Sequence, residues 1–147
     1  MTAHIVNTAA SPQATLQSVP LDAVRWTEGF WAERYQQACE TSVEVLWDLL
    51  ADPDAGHVLQ NFQIAAGLLE GDHEGTDWQD AWMYKWIESA ASLYRPTGDA
   101  WLAERMDECI ELIADAQQDD GYIATQMTIP GRERYQEPRN HEVYSMG

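Results

Sequence analysis

The chain has 147 residues, with 8 Lys+Arg against 25 Asp+Glu and a net charge of −17. This excludes a nucleic-acid partner and argues against binding a membrane surface. Both need clustered cations, and the chain offers one lysine, Lys85, and arginines scattered from Arg25 to Arg139. A hydrophobic fraction of 45% with seven Trp and six Tyr excludes a disordered acidic tail and calls for a packed core.

Residues 1–18 are polar, small and aperiodic, and read as a loose flexible tail. Met1 to Pro20 lacks the basic and apolar regions of a secretory signal, and no run approaches the roughly 18 apolar residues of a membrane span. A cytoplasmic location follows. Val19 to Val24 reads as a short extended entry, with Pro20 marking an edge. Trp31, Tyr35, Ala38, Ser42, Val45, Leu46 and Leu49 recur at helical spacing and predict a long amphipathic helix over about Phe30 to Ala51, ended by Asp52-Pro53-Asp54-Ala55-Gly56.

A second helix is predicted over Val58 to Leu69, on Leu59, Phe62, Ala65, Ala66 and Leu69. A third spans about Trp78 to Tyr94, with the stripe Trp78, Trp82, Trp86, Ala90 and Leu93. After the turn Pro96-Thr97-Gly98-Asp99, a fourth runs from Ala100 to Gln117, its apolar face being Trp101, Leu102, Met106, Cys109, Ile110 and Ile113. Tyr122 to Met127 reads as briefly extended, Ile129 to Arg139 as an irregular loop, and a further helix begins near His141. Helices of this length joined by short loops predict an all-α fold of antiparallel hairpins. With no strong repeat, unlike hairpins in a barrel or bundle fit better than a consensus solenoid.

Acids are densest at Asp99, Glu104, Asp107, Glu108, Glu111, Asp115, Asp119 and Asp120, against Arg105 alone. Such a face is either an ordinary solvated helix surface or the halophilic coat of a protein from a high-salt cytoplasm. Cys39 and Cys109 stand far apart within helical patterns, which predicts buried free thiols rather than a disulfide or a CxxC metal knuckle.

Four clusters carry groups suited to chemistry. Asn61 and Gln63 in NFQIAAG offer amides that can bind sugar hydroxyls or bridge helices. In DAWMYKWIE, Trp82 and Trp86 share a face, as core or as ligand platform, while the lone Lys85 suits an internal pair with Asp80 or Glu88. In AQQDDGY, Gly121 permits a tight turn that aims Asp120 and Tyr122 at one point, or simply ends a helix. In NHEVY, His141 and Tyr144 share a helical face; with no second His at the fifth position, the zinc-protease motif is excluded.

The ordered segments VRWTEGFW, NFQIAAGLLEG, DAWMYKWIESAA, IADAQQDDGYI and NHEVYSMG resemble the amino-terminal part of glycoside hydrolase family 127, the β-L-arabinofuranosidase-like enzymes, over about Val19 to Gly147. The resemblance implies an incomplete (α/α)6 barrel over residues 19–147, truncated before its later hairpins, with Trp31, Trp82 and Trp101 partly uncovered and self-association able to close the open core. It implies a carbohydrate substrate and retaining hydrolysis of terminal β-L-arabinofuranosides by a zinc-bound cysteine nucleophile and a glutamate acid/base.

Those motifs lie in the family's second half-barrel. Cys39, Cys109, Glu88 and Glu142 match none of them, so the resemblance assigns this chain no catalytic residue, no metal ligand and no cofactor of its own. On that basis the fragment alone is expected to be inactive. What the resemblance carries over is substrate contact: His141, Asp120, Tyr122, Gln117, Asp80 and Lys85, with Trp82 standing where the family commonly has an acid. The rival readings are a non-catalytic sugar-binding or scaffold half-barrel, and another (α/α)6 sugar enzyme such as an unsaturated glucuronyl hydrolase.

Overall fold

The computed structural model describes residues 11–16 and 18–146, so residues 1–10 and 17 of the expected tail, and Gly147, lie outside the described residues. Among the described residues there are helices and turns but no strand, and no helix is long and apolar enough to cross a membrane. The extended entry expected at Val19 to Val24 is instead a turn, in which Ala23 N–H donates to Pro20 C=O at 3.0 Å. With no strand beside it, this segment has no ladder to join.

The helix expected over Phe30 to Ala51 forms as one rod in three stretches: α1 (Gly29–Gln37), a π-helical turn (Ala38–Ser42) and α2 (Val43–Ala51). In the wide turn Val43 N–H reaches back five residues to Ala38 C=O. That extra residue rotates α2 relative to α1. The buried face of α2 is therefore Val43, Trp47 and Leu50, not the uniform stripe read from the sequence, and Trp31 remains 64% exposed. Leu46 and Leu49 are also exposed.

α3 (Val58–Ala65) stops short of Leu69. Gly67, at φ 72°, donates to Ile64 C=O at 3.0 Å, and Leu68 N–H donates to Gln63 C=O at 2.9 Å. This pair of bonds satisfies the last carbonyls and turns the chain away, which only a residue tolerant of positive φ does cheaply. Between α2 and α3 the backbone passes so close to Leu49 that a Cβ on Gly56 would lie 1.7 Å from its carbonyl oxygen.

α4 (Asp80–Thr97) and α5 (Ala100–Ala116) are an antiparallel hairpin turned by left-handed Gly98, and Asp99 caps α5 by accepting from Trp101 N–H at 2.9 Å. The tryptophan stripe of α4 divides. Trp86 is 3% exposed, lies 4.9 Å from Trp47 and 6.3 Å from Trp101, and donates Nε1–H to Val43 C=O at 3.0 Å, whereas Trp82 is 51% exposed. Leu102, Cys109, Leu112 and Ala116 bring α5 into the same core; Ile110, expected there, faces outward. Cys39 and Cys109 are free, and only Cys109 is fully buried.

Past α5 the chain is not extended through Met127. Tyr122 to Ala124 has no regular structure, and α6 (Thr125–Thr128) is a single helical turn. Its first N–H is taken by Asp80, and that tertiary bond starts the turn. The loop after it is irregular as expected until a 3-10 turn (Pro138–Asn140), and α7 (Glu142–Met146) starts one residue after His141 and packs on α4.

Candidate functional site

Three segments meet on one face: the loop after α5, the loop before α7, and the N-terminal half of α4. Asp80 reaches across from α4, its two oxygens accepting from Thr125 N–H at 2.7 Å and Thr125 Oγ1–H at 2.6 Å. Gln126, buried beside it, donates Nε2–H to Asn140 C=O at 3.1 Å and to Ser145 Oγ at 3.4 Å. Ser145 in turn donates to Asp77 C=O at 3.2 Å. These bonds fasten α6 and α7 to the start of α4.

Burial pushes the Asp80 carboxyl above its ordinary value, outweighing the two Thr125 hydrogen bonds that pull it down. A group raised in this way stabilises the fold below its unfolded pKa, and that contribution disappears as pH rises through the folded value. Asp80→Asn removes the ionisation and keeps an acceptor for Thr125 N–H. Its stability relative to the parent should therefore improve as pH climbs from about 4 to neutrality. Denaturant melts of both proteins across that window check the sign; a constant or opposite trend contradicts it.

In the loop after α5, Gly121 at φ 87° closes a tight turn, with Gly121 N–H donating to Gln118 C=O at 2.7 Å and Gln118 N–H to Tyr122 C=O at 3.0 Å. Gln117 lies at the turn's exposed edge, donating Nε2–H to Gly121 C=O at 3.0 Å. Asp120 is exposed and accepts from Arg134 at 2.5 Å and from Tyr122 N–H at 3.2 Å; the Arg134 guanidinium, then that backbone N–H, holds its carboxyl below the usual range. Arg134 also hydrogen-bonds Gln118 and stacks 3.8 Å from the centre of the Tyr122 ring.

Tyr122 points inward and donates to Glu142 Oε2, and the other oxygen of Glu142 accepts from Tyr135 N–H at 2.7 Å. Burial first, and this bond to Glu142 second, keep the phenol above its ordinary pKa.

His141 is half-buried, edge-on to Trp78 at 5.0 Å and to Tyr144 at 6.1 Å. Among the described residues its imidazole nitrogens make no hydrogen bond. Lys85 donates to Tyr144 Oη at 2.7 Å, which leaves the phenol hydrogen directed elsewhere. The pairing expected with Asp80 or Glu88 does not form, since Asp80 is occupied by Thr125 and Lys85 by Tyr144. Tyr135, Pro138, His141, Glu142 and Tyr144 wall a recess of about 390 Å³. Here an imidazole that can donate and accept stands beside a phenol donor and two aromatic rings, a combination suited to polyols with apolar C–H faces.

The structure thus brings together His141 and Lys85 through Tyr144, and Asp120 and Tyr122 through Arg134. Glu142 joins the two groups. Gln117 touches only its own turn, and Asp80 acts through Thr125. Asn61, an amide suited to either sugars or helix bridging, is fully buried and clasps Glu74, donating to its C=O at 2.8 Å and accepting its N–H at 3.0 Å. Sequence reasoning did not find Arg134, Tyr135 or the bridging role of Glu142. The one signal in the sequence is for Arg134, one of 8 cations against 25 acids, which favours its pairing with an acid.

Among the described residues no three His, Cys, Asp or Glu side chains converge as a metal site requires. Burial pushes the Cys109 thiol up to about 12 and raises Cys39 as well, the reverse of what a zinc-bound thiolate needs. Cys39 and Cys109 therefore do not suit the zinc-bound nucleophile that the resemblance implies.

Residues 23–147 match the β-L-arabinofuranosidase GH127 catalytic domain. The chain belongs to this family. A non-reducing end β-L-arabinofuranosidase of Bifidobacterium longum subsp. longum is 34% identical over 143 aligned residues, taking in 82% of this chain and 22% of its own length. The crystal structure of Ara127N-Se, a GH127 β-L-arabinofuranosidase from Geobacillus stearothermophilus T6, superposes with a TM-score of 0.77 at 33% identity, over 82% of this chain and 20% of that one. The GH127 β-arabinofuranosidase BT3674 gives 0.76 at 28% identity, over 87% and 22%. The chain therefore spans about a fifth of the length of these GH127 relatives.

Proposed function

We propose that the chain forms the opening part of the (α/α)6 barrel of a GH127 glycoside hydrolase acting on terminal β-L-arabinofuranosides, and that the His141 recess holds sugar hydroxyls. The observation that carries this is the His141 imidazole, fixed between Trp78 and Tyr144 with its nitrogens uncommitted among the described residues, at the wall of the recess. Tyr144 supplies a second donor, oriented by Lys85. Asp120, Tyr122 and Gln117 shape the neighbouring rim, and Asp80 supports it from beneath. The nucleophile, its zinc and the acid/base come from residues outside these 147. An apolar groove of about 500 Å³ between α2 and α4, lined by Leu46, Leu49, Trp82 and Trp86, supports a barrel in which further helices cover this side.

In this division of labour the chain binds and orients the sugar while the bond-making groups lie elsewhere, so contacts alone give no route to a glycosyl intermediate. The protein encoded by the whole gene should hydrolyse an aryl β-L-arabinofuranoside with retention and lose activity to a zinc chelator. Residues 1–147 alone should show no turnover with or without zinc. Turnover by residues 1–147, or none by the whole protein, overturns the proposal.

A further inference from the structure

We propose that Glu142 is a positioning residue whose buried carboxylate clamps the backbone on either side of the recess and so aims the His141 imidazole; this rests on the sugar-facing role of His141. His141 adopts the left-handed conformation, φ 54° and ψ 23°, which a residue carrying a Cβ disfavours. Its own backbone is weakly held on one side, with His141 N–H to Pro138 C=O at 3.3 Å. The pair of buried neighbours adds to the bond that His141 C=O accepts from Ser145 N–H at 2.8 Å. Asn140 C=O is bound by Gln126, and Glu142, 5% exposed, accepts from Tyr122 Oη–H and from Tyr135 N–H at 2.7 Å.

With both neighbours anchored inward, the imidazole is turned outward onto Trp78 and Tyr144. Tyr135 is itself left-handed, at φ 60°, so one carboxylate secures two disfavoured backbone positions 6 residues apart, Tyr135 and His141, on the rim of the same recess. No ion pair to Glu142 occurs among the described residues. A buried carboxylate served only by a phenol and one amide is a poor choice for packing alone, since an apolar residue would fill the space without desolvating a charge. Its geometry suits a group kept for placement.

The test is a double-mutant cycle in the protein encoded by the whole gene, with kcat/KM for an aryl β-L-arabinofuranoside as readout. Glu142→Ala is expected to lower kcat/KM on the order of 10- to 100-fold, as displacement of a contact group by about 1 Å does. Glu142→Gln, which keeps an acceptor for Tyr135 N–H and a partner for the Tyr122 hydroxyl, should restore most of it. On a His141→Ala background, Glu142→Ala should cost no more than about twofold, because both changes remove the same contact.

Tyr122→Phe deletes one hydroxyl and should show the same non-additivity with His141→Ala on a smaller scale, which keeps the test available if Glu142→Ala does not fold. Losses that add across the cycle, or a glutamine variant as poor as alanine, overturn the clamp while leaving the role of His141 intact. A His141→Ala variant with unchanged kcat/KM removes the sugar-facing reading and the clamp together.

Discussion

His141→Ala in the protein encoded by the whole gene is expected, on the proposed function, to lower kcat/KM roughly 30- to 150-fold, about 2–3 kcal/mol, with the fold preserved. The size follows from what the recess leaves behind. A sugar hydroxyl that exchanges solvent partners for the imidazole beside Trp78 and Tyr144 would lose that bond, and the Tyr144 hydroxyl would replace only part of it. Stability should change by less than about 1 kcal/mol, because the ring is half-exposed and is no part of the core cluster around Trp86. Steady-state kinetics and denaturant melts on one preparation separate the two effects. Lost stability with unchanged kcat/KM would make His141 a packing residue.

The largest effect on stability should come from Trp86→Ala, about 3–5 kcal/mol. Trp86 is nearly fully buried, touches both Trp47 and Trp101, and holds the carbonyl of Val43 just after the π-helical turn. Its removal therefore opens a cavity and deletes a buried hydrogen bond at once. Trp82→Ala, one helical turn away but half-exposed, should cost less than about 1 kcal/mol in residues 1–147. In the complete protein the same change should cost more, because the covering helices proposed there would bury it. Equal costs for the two tryptophans within residues 1–147 would contradict the placement of the core.

Much of this fold is legible in local signals. Asp99 as a cap and Gly98 as a helix stop act within one or two turns, and the structure follows them; the apolar spacing marks α4 and α5 as helices, while Trp78, Trp82 and Ile110 lie outside their buried faces. The face of α2 was not legible, because a single extra residue in the π-helical turn shifts every later side chain by about 100°. α6 escapes local reading for a different reason. Its start depends on Asp80, 45 positions earlier, and no local pattern carries that bond.

The candidate site divides the same way. Residue types in DGY and NHEVY mark where polar and aromatic groups gather. The geometry depends on partners far along the chain: Lys85 meets Tyr144 across 59 positions, Tyr122 meets Glu142 across 20, and Arg134 meets Asp120 across 14. The amide of Asn61 shows the limit most plainly, since its chemistry suits a sugar hydroxyl as well as it suits the backbone of Glu74, and packing alone decides.

The most direct measurement is a crystal structure of the protein encoded by the whole gene with L-arabinose bound. The account predicts a furanose hydroxyl within about 2.7–3.2 Å of a His141 ring nitrogen, with the sugar seated beside Trp78 and Tyr144. A furanose bound elsewhere, with His141 touching none of its hydroxyls, would contradict it.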